Sequence, residues 1–473
     1  MGLFKKILSS LSGNSYEEEE METEVINSEI AAEEDTTAAK HMAAATERKL
    51  EETQRKLEVA QRKAEEKSAK QTAWETSADK EIEEEGPTII DDDYIDELIK
   101  NGIKEVILPA SVEEICTDCW DDFVSIDMSK CHKLTKINVD FQRGKSLERI
   151  EFPDSITSIE KHAFYGCKSL KSIVLPKNLT SIGDCTFNEC ESLESIVLPE
   201  NLTSIGECAF WECKSLKSIV LPKNLTSIGK YAFNGCESLE SIVLPKNLTS
   251  IGEWAFECCK SLEDVDLSLC EKLKKIDTYT FSSCKSLEII KLPDNLTSIG
   301  EYAFDDCVSL RNIEIPDTVK EIESDAFSGC KLLRKLSLSE SLKRLGSLGD
   351  CSINVDFSKC KNIKVLNERL NFANKILVLP MGVEEIMSDA LTSNVEELYL
   401  PPTIKVMGDS YFYNCPNIYC YAPKLESLEL EDFNGTLFVL PQYYDSYCEQ
   451  ASIEGANIQV EKIPDDKLYF YDE

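Results

Sequence analysis

The sequence predicts a repeat solenoid, in which short parallel strands stack along one axis. Cysteine, phenylalanine and leucine each recur in step, at intervals of 23 residues with one interval of 25. The cysteines are Cys167, Cys190, Cys213, Cys236, Cys259, Cys284, Cys307 and Cys330. A period in the twenties that contains L-x-x-I-x-L is typical of leucine-rich repeats. We therefore expect a leucine-rich-repeat solenoid of the repeat α/β-β class, with short parallel strands forming a concave sheet and with short strands and 3-10 turns on the convex side.

The first half of one unit predicts a strand. Alternation places Leu170, Ile173 and Leu175 inward and Val174 outward. Pro176 ends the strand because proline cannot donate a hydrogen bond to the ladder. One unit cannot bury its apolar groups alone, so the next coil completes the core.

The second half of the unit returns the chain to the core. Leu179 and Ile182 are expected to be buried, and Gly183 is expected to allow a tight bend. Phe187 would fill the wide part of the coil and Cys190 would close it. Stacked side chains point the same way, so the cysteines are expected to form a column of buried, reduced thiols.

The repeated unit resembles the BspA-type, or cysteine-containing, leucine-rich repeats. The stretch LESIVLPENLTSIGECAFWEC, residues 193–213, is similar to that family's pattern LxxIxLPxxLxxIgxxAFxxC. The resemblance covers residues 103–463 and is strongest over 164–330. It implies protein recognition and supplies no catalytic residues. Members of the family are often secreted or surface proteins that bind host matrix proteins or other cells.

The solenoid is expected over residues 87–463, followed by a tail at 464–473. Its N-terminal cap is expected at about 88–110. The stretch GTLFVLPQYYDSY resembles the closing segment of the family, so the C-terminal cap is expected at about 435–463. A final strand is expected near 456–460.

A charged N-terminal region precedes the repeats. Residues 1–13 form a short amphipathic segment, interpreted either as a short helix without a partner or as an anchor, and membrane contact is expected only through residues 1–12. Residues 14–36 are an acidic, disordered spacer. Residues 37–86 favour a charged helix. Incomplete heptads make that helix a weak coiled coil at best, with self-association as the alternative.

Composition excludes several functions. The chain has 51 basic and 87 acidic residues, a net charge of −36, which argues against nucleic acid as a partner. It has only three histidines and no phosphate-binding or nucleophile motif, so no enzymatic activity and no cofactor is expected. Cys116 and Cys119 lack a second C-x-x-C pair for zinc, and Trp120 falls where other repeats have phenylalanine. No metal site is therefore expected, and the acidic cluster Asp91–Asp93 is interpreted as a solvated entry to the cap.

The repeats also contain N-x-T sequons, which taken alone would indicate a glycosylated, secreted protein. They lie at Asn178, Asn201, Asn224, Asn247 and Asn295. The N-terminal residues lack the apolar run of a secretory signal, so a cytoplasmic location is expected, where sequons go unused and thiols stay reduced. The alternative is a cell-surface adhesin exported without a standard signal peptide.

A protein partner is expected on the concave sheet, the usual binding face of solenoids. Its predicted residues form an outward apolar stripe, Val174, Val197, Val220 and Val243, beside a row of alternating charge, Lys171, Glu194, Lys217 and Glu240. That row, like the parallel row from Lys168 to Lys260, is predicted to form a lateral ladder of ion pairs. The structural alternative is that valine merely suits a strand and the charges keep the coil register. Trp211 and Trp254, with Tyr231, form a second candidate group on the convex side, where they would either bind or pack between coils.

Together these features predict a non-enzymatic interaction scaffold. The alternatives are the adhesin and a structural protein that assembles through the helix of residues 37–86.

Overall fold

The computed structural model describes residues 86–468, apart from short gaps. The gaps are 142–143, 350–352, 369, 371–372, 388–389, 392–394, 408–414, 427–432, 434 and 455–457. The expectations for residues 1–13, 14–36 and 37–86 lie outside the described residues, apart from Gly86.

The chain winds through two columns of parallel strands, numbered in chain order. The first column contains β2 (Glu105–Ile107), β4 (Ser125–Asp127), β6 (Arg149–Glu151), β8 (Ser172–Val174), β10 (Ser195–Val197), β12 (Ser218–Val220), β14 (Ser241–Val243), β16 (Asp264–Asp266), β18 (Ile289–Lys291), β21 (Lys335–Ser337), β23 (Asn354–Asp356), β25 (Ile376–Val378), β27 (Glu397–Leu400), β29 (Asn417–Cys420), β30 (Thr436–Val439) and β31 (Gln459–Lys462). The outward side of this column is called the strand face. At the coil of Asn312 a single bridge to Ile289 replaces the strand.

The second column contains two-residue strands. They are β1 (Ile89–Ile90), β3 (Glu114–Ile115), β5 (Lys136–Ile137), β7 (Ser158–Ile159), β9 (Ser181–Ile182), β11 (Ser204–Ile205), β13 (Ser227–Ile228), β15 (Ser250–Ile251), β17 (Lys275–Ile276), β19 (Ser298–Ile299), β20 (Glu321–Ile322), β22 (Arg344–Leu345), β24 (Val365–Leu366), β26 (Glu385–Ile386) and β28 (Val406–Met407). The two columns confirm the predicted parallel-strand solenoid.

The register places equivalent residues of consecutive coils opposite one another. In β8 and β10, Ser172 pairs with Ser195 and Val174 pairs with Val197. Ile173 is 3% exposed whereas Val174 is 41% exposed, so inward and outward sides alternate as the sequence predicts.

Phenylalanine rings form a continuous stack inside the solenoid. From Phe141 to Phe327, neighbouring rings in consecutive coils lie 5.0–5.8 Å apart, with planes tilted by 2–9°. Trp120 extends the stack toward the N-terminus at 5.3 Å from Phe141. Trp120 lies where the aligned repeats have phenylalanine, and its ring is fully buried.

The repeat cysteines are buried thiols that bind the coil before them. Cys190 Sγ donates to the carbonyl of Phe164 at 3.2 Å, and Cys213 Sγ donates to that of Phe187 at 3.1 Å. The same bond recurs at Cys236, Cys259, Cys284, Cys307 and Cys330. Every cysteine in the described part of the chain is free. Each thiol therefore fills core volume and also satisfies a buried carbonyl.

The predicted role of Gly183 as a tight bend is wrong. Its backbone does not adopt a positive φ; that conformation occurs two residues later, at Cys185 with φ 53°. The glycine column instead permits close approach of neighbouring coils, since a Cβ on Gly229 would lie 2.5 Å from the carbonyl carbon of Gly206. Absence of a side chain, rather than backbone freedom, is what this column requires where the coils approach most closely.

The sequon residues also join consecutive coils. Asn178 Nδ2 donates to the carbonyl of Asp154 at 2.8 Å, and Asn247 Nδ2 donates to that of Lys223 at 3.0 Å. Thr203 Oγ1 donates to the carbonyl of Thr180 at 3.0 Å. Asparagine and threonine thus recur here because both side chains bind a neighbouring backbone.

Each end of the solenoid carries a helix. Helix α1 (Asp92–Lys100) is capped by Asp91, whose Oδ1 accepts from the amide of Tyr94 at 3.0 Å, and it buries Ile95. The acidic cluster thus contains the helix cap. At the other end, β30 leads through a 3-10 turn (Pro441–Tyr443) into helix α2 (Tyr444–Glu454), which the sequence did not predict, and then into β31. The final strand lies slightly later than expected.

Candidate protein-interaction surface

Four valines form an aligned row on the strand face. Val174 pairs with Val197 and Val220 pairs with Val243, so the four valines, called the valine stripe, follow one another over four coils. Val174 is exposed and the other three are half-buried by their neighbours in the row. In the coils beyond, Asp266 and Lys291 take the same position and form an ion pair at 3.3 Å. The stripe is therefore a short apolar segment with a charged end.

Serines line one side of the valine stripe. Ser172 pairs with Ser195 and Ser218 pairs with Ser241, two positions before the valines in each strand. Their side chains are too short to overhang the valines. The surface is therefore accessible to a flat or extended partner.

The charged residues beside the stripe pair only in part. Lys171 Nζ lies 2.9 Å from Glu148 Oε2, on the coil before it, and Lys217 Nζ lies 3.8 Å from Glu194 Oε2. The predicted continuous ladder of Lys171, Glu194, Lys217 and Glu240 is therefore wrong: long side chains settle into separate pairs. The side chains of Lys217 and Glu194 are 62% and 59% exposed, so water weakens their attraction.

The neighbouring charged row is interrupted in the same way. Lys168 pairs with Glu191 at 2.7 Å and Lys260 pairs with Glu237 at 2.8 Å. Lys214, between them, instead pairs within its own coil with Glu212 at 2.9 Å. The ion pair between Lys168 and Glu191 raises the pKa of Lys168 above its usual value and lowers the pKa of Glu191 below its usual value.

The two predicted tryptophans lie in different rows. Trp254 stacks with Tyr231 at 5.0 Å and with Tyr279 at 5.3 Å, and this row continues to Tyr302. Trp211 belongs to the row of Asn188 and Asn234, which flank it by 23 residues, and is 36% exposed. The structure thus assigns Trp254 to packing between coils and does not bring Trp211 into that stack.

Lys230 lies beside the row of stacked rings that contains Trp254. Its Nζ lies 4.4 Å from the ring centroid of Trp254 and 2.8 Å from Glu253 Oε2. Trp254 is therefore contacted by rings on both sides and by a cation, which favours a role in packing between coils.

The strand face also carries an aromatic row that the sequence analysis did not predict. Tyr399, Tyr419 and Phe438, called the aromatic column, are paired residues of β27, β29 and β30. Each is the third residue of its strand, as Val174 is in β8. The signal was present as a hydrophobic-proline pattern in ELYLP, NIYCYAP and TLFVLP, but the spacing of these coils departs from 23 residues.

The side chains considered as metal ligands do not form a cluster within the described residues. Cys119 Sγ lies 3.6 Å from Asp92 Oδ1, and Cys116 is also exposed. Within the described residues, no three histidine, cysteine or acidic side chains are placed to hold a metal. His162 lies in the row of Cys185 and Cys208 at the coil surface. No helix in the described part of the chain has the length and apolarity needed to cross a membrane.

Several solved structures are similar to the chain. A leucine-rich repeat protein from Bacteroides ovatus is 24% identical, with 76% of this chain and 92% of that chain covered and a TM-score of 0.46. A leucine rich cell surface protein from Faecalibacterium prausnitzii is 24% identical, with 67% and 79% covered and a TM-score of 0.37. The pneumococcal vaccine antigen PcpA is 18% identical, with 76% and 85% covered and a TM-score of 0.39. Curated proteins give no match.

The repeats also match a family model. The model describes the BspA type leucine rich repeat region, and six copies match over residues 97–217, 135–263, 265–375 and 370–436. These matches span most of the chain and confirm the resemblance seen in the repeats. The chain belongs to the BspA-type leucine-rich repeat family.

Proposed function

We propose that this protein is a non-enzymatic scaffold that binds a protein partner through the valine stripe and the charged residues beside it. The observation that carries the proposal is the alignment of four outward valines over consecutive coils. An apolar row rimmed by charge is typical of a protein-binding surface. Leucine-rich repeat proteins generally bind protein partners, which supports this class of function.

The charges beside the stripe favour a partner with both signs of charge. Glu194 and Glu240 alternate with Lys171 and Lys217 along the stripe. Their existing pairs are exposed and therefore weak, so a partner can replace them at little cost. Such charges affect the association rate and the choice of partner more than the affinity.

The proposal is tested by capture of partners from a lysate of the source cells. The variant Val197→Asp/Val220→Asp places two carboxylates in the centre of the stripe. The matched control is Ser204→Asp/Ser227→Asp, which places the same charges in the same two coils but in the second strand column. We expect both variants to fold, and we expect only the first to lose the partner that the wild type captures.

Capture of the partner by both variants at the wild-type level would show that the valine stripe is not the binding surface. Loss of capture by both would point to a general effect of added charge. Circular dichroism and size-exclusion chromatography establish that each variant is folded.

We propose a cytoplasmic location, with surface display as the alternative. Two observations favour it: the buried thiols bind carbonyls as reduced groups, and the Nδ2 atoms of Asn178 and Asn247 are engaged between coils. Nδ2 is the atom to which a glycan would attach, so a glycan would have to be accommodated beside this contact between coils. Fractionation of cells tests the location, and protein found only outside the cell, with glycans or disulfides, would refute it.

Self-assembly through residues 37–86 remains the other alternative. The mass in solution of the full chain and of a chain that begins at Gly86 distinguishes it from the scaffold. A smaller assembly after removal of these residues would favour a structural role.

A further inference from the structure

The C-terminal part of the strand face carries rings where the central coils carry valines. Tyr399 and Tyr419 stack at 4.7 Å, and Tyr419 and Phe438 stack at 4.8 Å. Val378 pairs with Tyr399 and begins the same row. A stacked row of rings presents more apolar area to an incoming segment than a row of valines does.

Two of the three rings of this aromatic column, Tyr399 and Tyr419, are covered. Tyr399 is 2% exposed and Tyr419 is 5% exposed, although both point outward from the strands. They share a buried cluster with Tyr421, Leu440 and the segment Ile463–Leu468, called the docking segment, which follows β31. Ile463 is buried against the column, and Leu468 packs against the same cluster.

Lys467 fixes the docking segment by charge. Its Nζ lies 2.7 Å from Glu397 Oε1 and 3.1 Å from the hydroxyl of Tyr419, and it stands 4.4 Å from the centroid of the Tyr419 ring. The hydroxyl of Tyr421 donates to the carbonyl of Lys467. Burial lowers the pKa of Lys467, but the bonds to Glu397, Tyr399 and Tyr419 outweigh it and raise the pKa above its usual value.

The docking segment lies on the surface rather than in the strand ladder. The amide of Ile463 donates to the carbonyl of Val439 at 2.8 Å, as the last bond that continues the ladder. Beyond it the chain forms one 3-10 turn, Asp465–Lys467, and returns across β30 and β29 to Glu397, which lies 70 residues earlier in the sequence. The segment is therefore held as a bound peptide is held, by apolar contacts, one ion pair and a few hydrogen bonds.

We infer that the aromatic column and Glu397 form a peptide-binding site, which the chain's own docking segment fills. The site accepts in exchange a partner segment of the same chemistry: an aliphatic residue and, four positions later, a lysine followed by leucine. The site is separate from the valine stripe and does not depend on the function proposed for that stripe.

Attachment of the docking segment to β31 gives it a high effective concentration at the site. A partner segment therefore binds only weakly to the wild-type chain. Any change that releases the docking segment raises the apparent affinity, because a larger fraction of molecules then has an open site.

The test uses the full chain and a labelled, end-capped peptide with the sequence of residues 461–468, EKIPDDKL. The release variant Ile463→Asp/Lys467→Ala removes the apolar anchor and the cation from the chain's own segment and leaves the aromatic column intact. We expect the peptide to bind the release variant at least about tenfold more tightly than it binds the wild type, measured by fluorescence anisotropy. The control Asp466→Ala changes an exposed residue of the same segment and should bind as the wild type does.

A third variant checks that binding uses the inferred site. Addition of Glu397→Ala to the release variant should abolish the gain, since the peptide lysine then lacks its carboxylate. Should the double variant fail to fold by circular dichroism, Lys467→Ala alone supplies the same comparison with a smaller gain.

Two results would overturn the inference. One is a folded release variant that binds the peptide no better than the wild type. The other is a wild-type dimer that dissociates on the Lys467→Ala substitution, which would make a second copy of the chain, rather than the same molecule, the source of the docking segment.

Discussion

The central coils and the C-terminal coils use the same row of the strand face in opposite ways. In β8–β14 the row is the valine stripe, where Val174 is 41% exposed. In β27–β30 it is the aromatic column, where Tyr399 is 2% exposed beneath the docking segment. The same architecture therefore yields an open surface in one part of the molecule and an occupied one in another.

The difference shows what stacking alone determines. It brings equivalent residues into rows in both regions, as the paired strands show. Whether a row is open depends on a distant segment, which the repeat does not encode. The valine stripe is thus a candidate for an external partner, and the aromatic column is a site whose occupant is already present.

The largest difference between the two regions is expected at alkaline pH, which should destabilise the central coils more than the C-terminal coils. Burial raises the pKa of Cys167 to about 12, and it also raises the pKa of the fully buried thiols Cys190, Cys213, Cys236, Cys259, Cys284 and Cys307 well above its usual value. In the unfolded chain these thiols lose their protons above pH of about 8.5, so each lowers the free energy of unfolding by about 1.4 kcal/mol per pH unit above that value. The described residues of the C-terminal coils hold only two such thiols, Cys415 and Cys420. Hydrogen exchange at pH 8 and pH 10 should therefore show the central coils losing protection first, and earlier loss in β27–β30 would contradict this.

Deletion of a ring is expected to cost more in the central core than on the C-terminal strand face. Phe210 is fully buried between two stacked rings, so Phe210→Ala should lower the free energy of unfolding by about 3–5 kcal/mol. Phe438 is only partly buried, so Phe438→Ala should cost about half as much or less. Urea unfolding of both variants measures the two costs, and equal values would mean that the aromatic column is part of the core.

The glycine column should be intolerant of a methyl group where coils approach most closely. A Cβ on Gly229 would lie 2.5 Å from a backbone carbon, and Gly229→Ala is expected to cost about 1–3 kcal/mol or more. At Gly183 the nearest backbone atom would be 3.4 Å away, so Gly183→Ala should cost less. If both variants unfold at the same urea concentration, close approach is not the reason for glycine in this column.

The smallest effect on the free energy of unfolding is expected for substitutions in the valine stripe. Val197→Ala should change the free energy of unfolding by less than about 0.5 kcal/mol, because the half-buried side chain lies on the uncovered part of the strand face. Val378→Ala, at the same position in a coil that packs against the covered cluster, should cost about 1 kcal/mol. A larger cost at Val197 than at Val378 would show that the valine stripe is structural rather than open for binding.

Much of the central region can be predicted from the sequence because repetition reveals burial column by column. Phe187, Cys190 and Val174 were each placed on the correct side from their rows alone. The role of the glycine column cannot be predicted from one unit, because close approach between coils depends on the neighbouring backbone.

Neither the pairing of charged side chains nor the C-terminal site can be predicted from the rows of the repeat. Lys214 had two acidic neighbours in adjacent coils and bound Glu212 instead, which depends on the conformation of a long side chain. The contact between Lys467 and Glu397 joins residues 70 positions apart and follows no period. Irregular coil lengths near the C-terminus also hid the alignment of the aromatic column.

Carboxyl footprinting of the complex with the captured partner tests the central claim most directly. We expect bound partner to reduce labelling of Glu194 and Glu240, which flank the valine stripe, and to leave Glu200, which is exposed on another side of the same coil, unchanged. Protection of Glu200 with full labelling of Glu194 and Glu240 would contradict the account, because the partner would then bind away from the strand face.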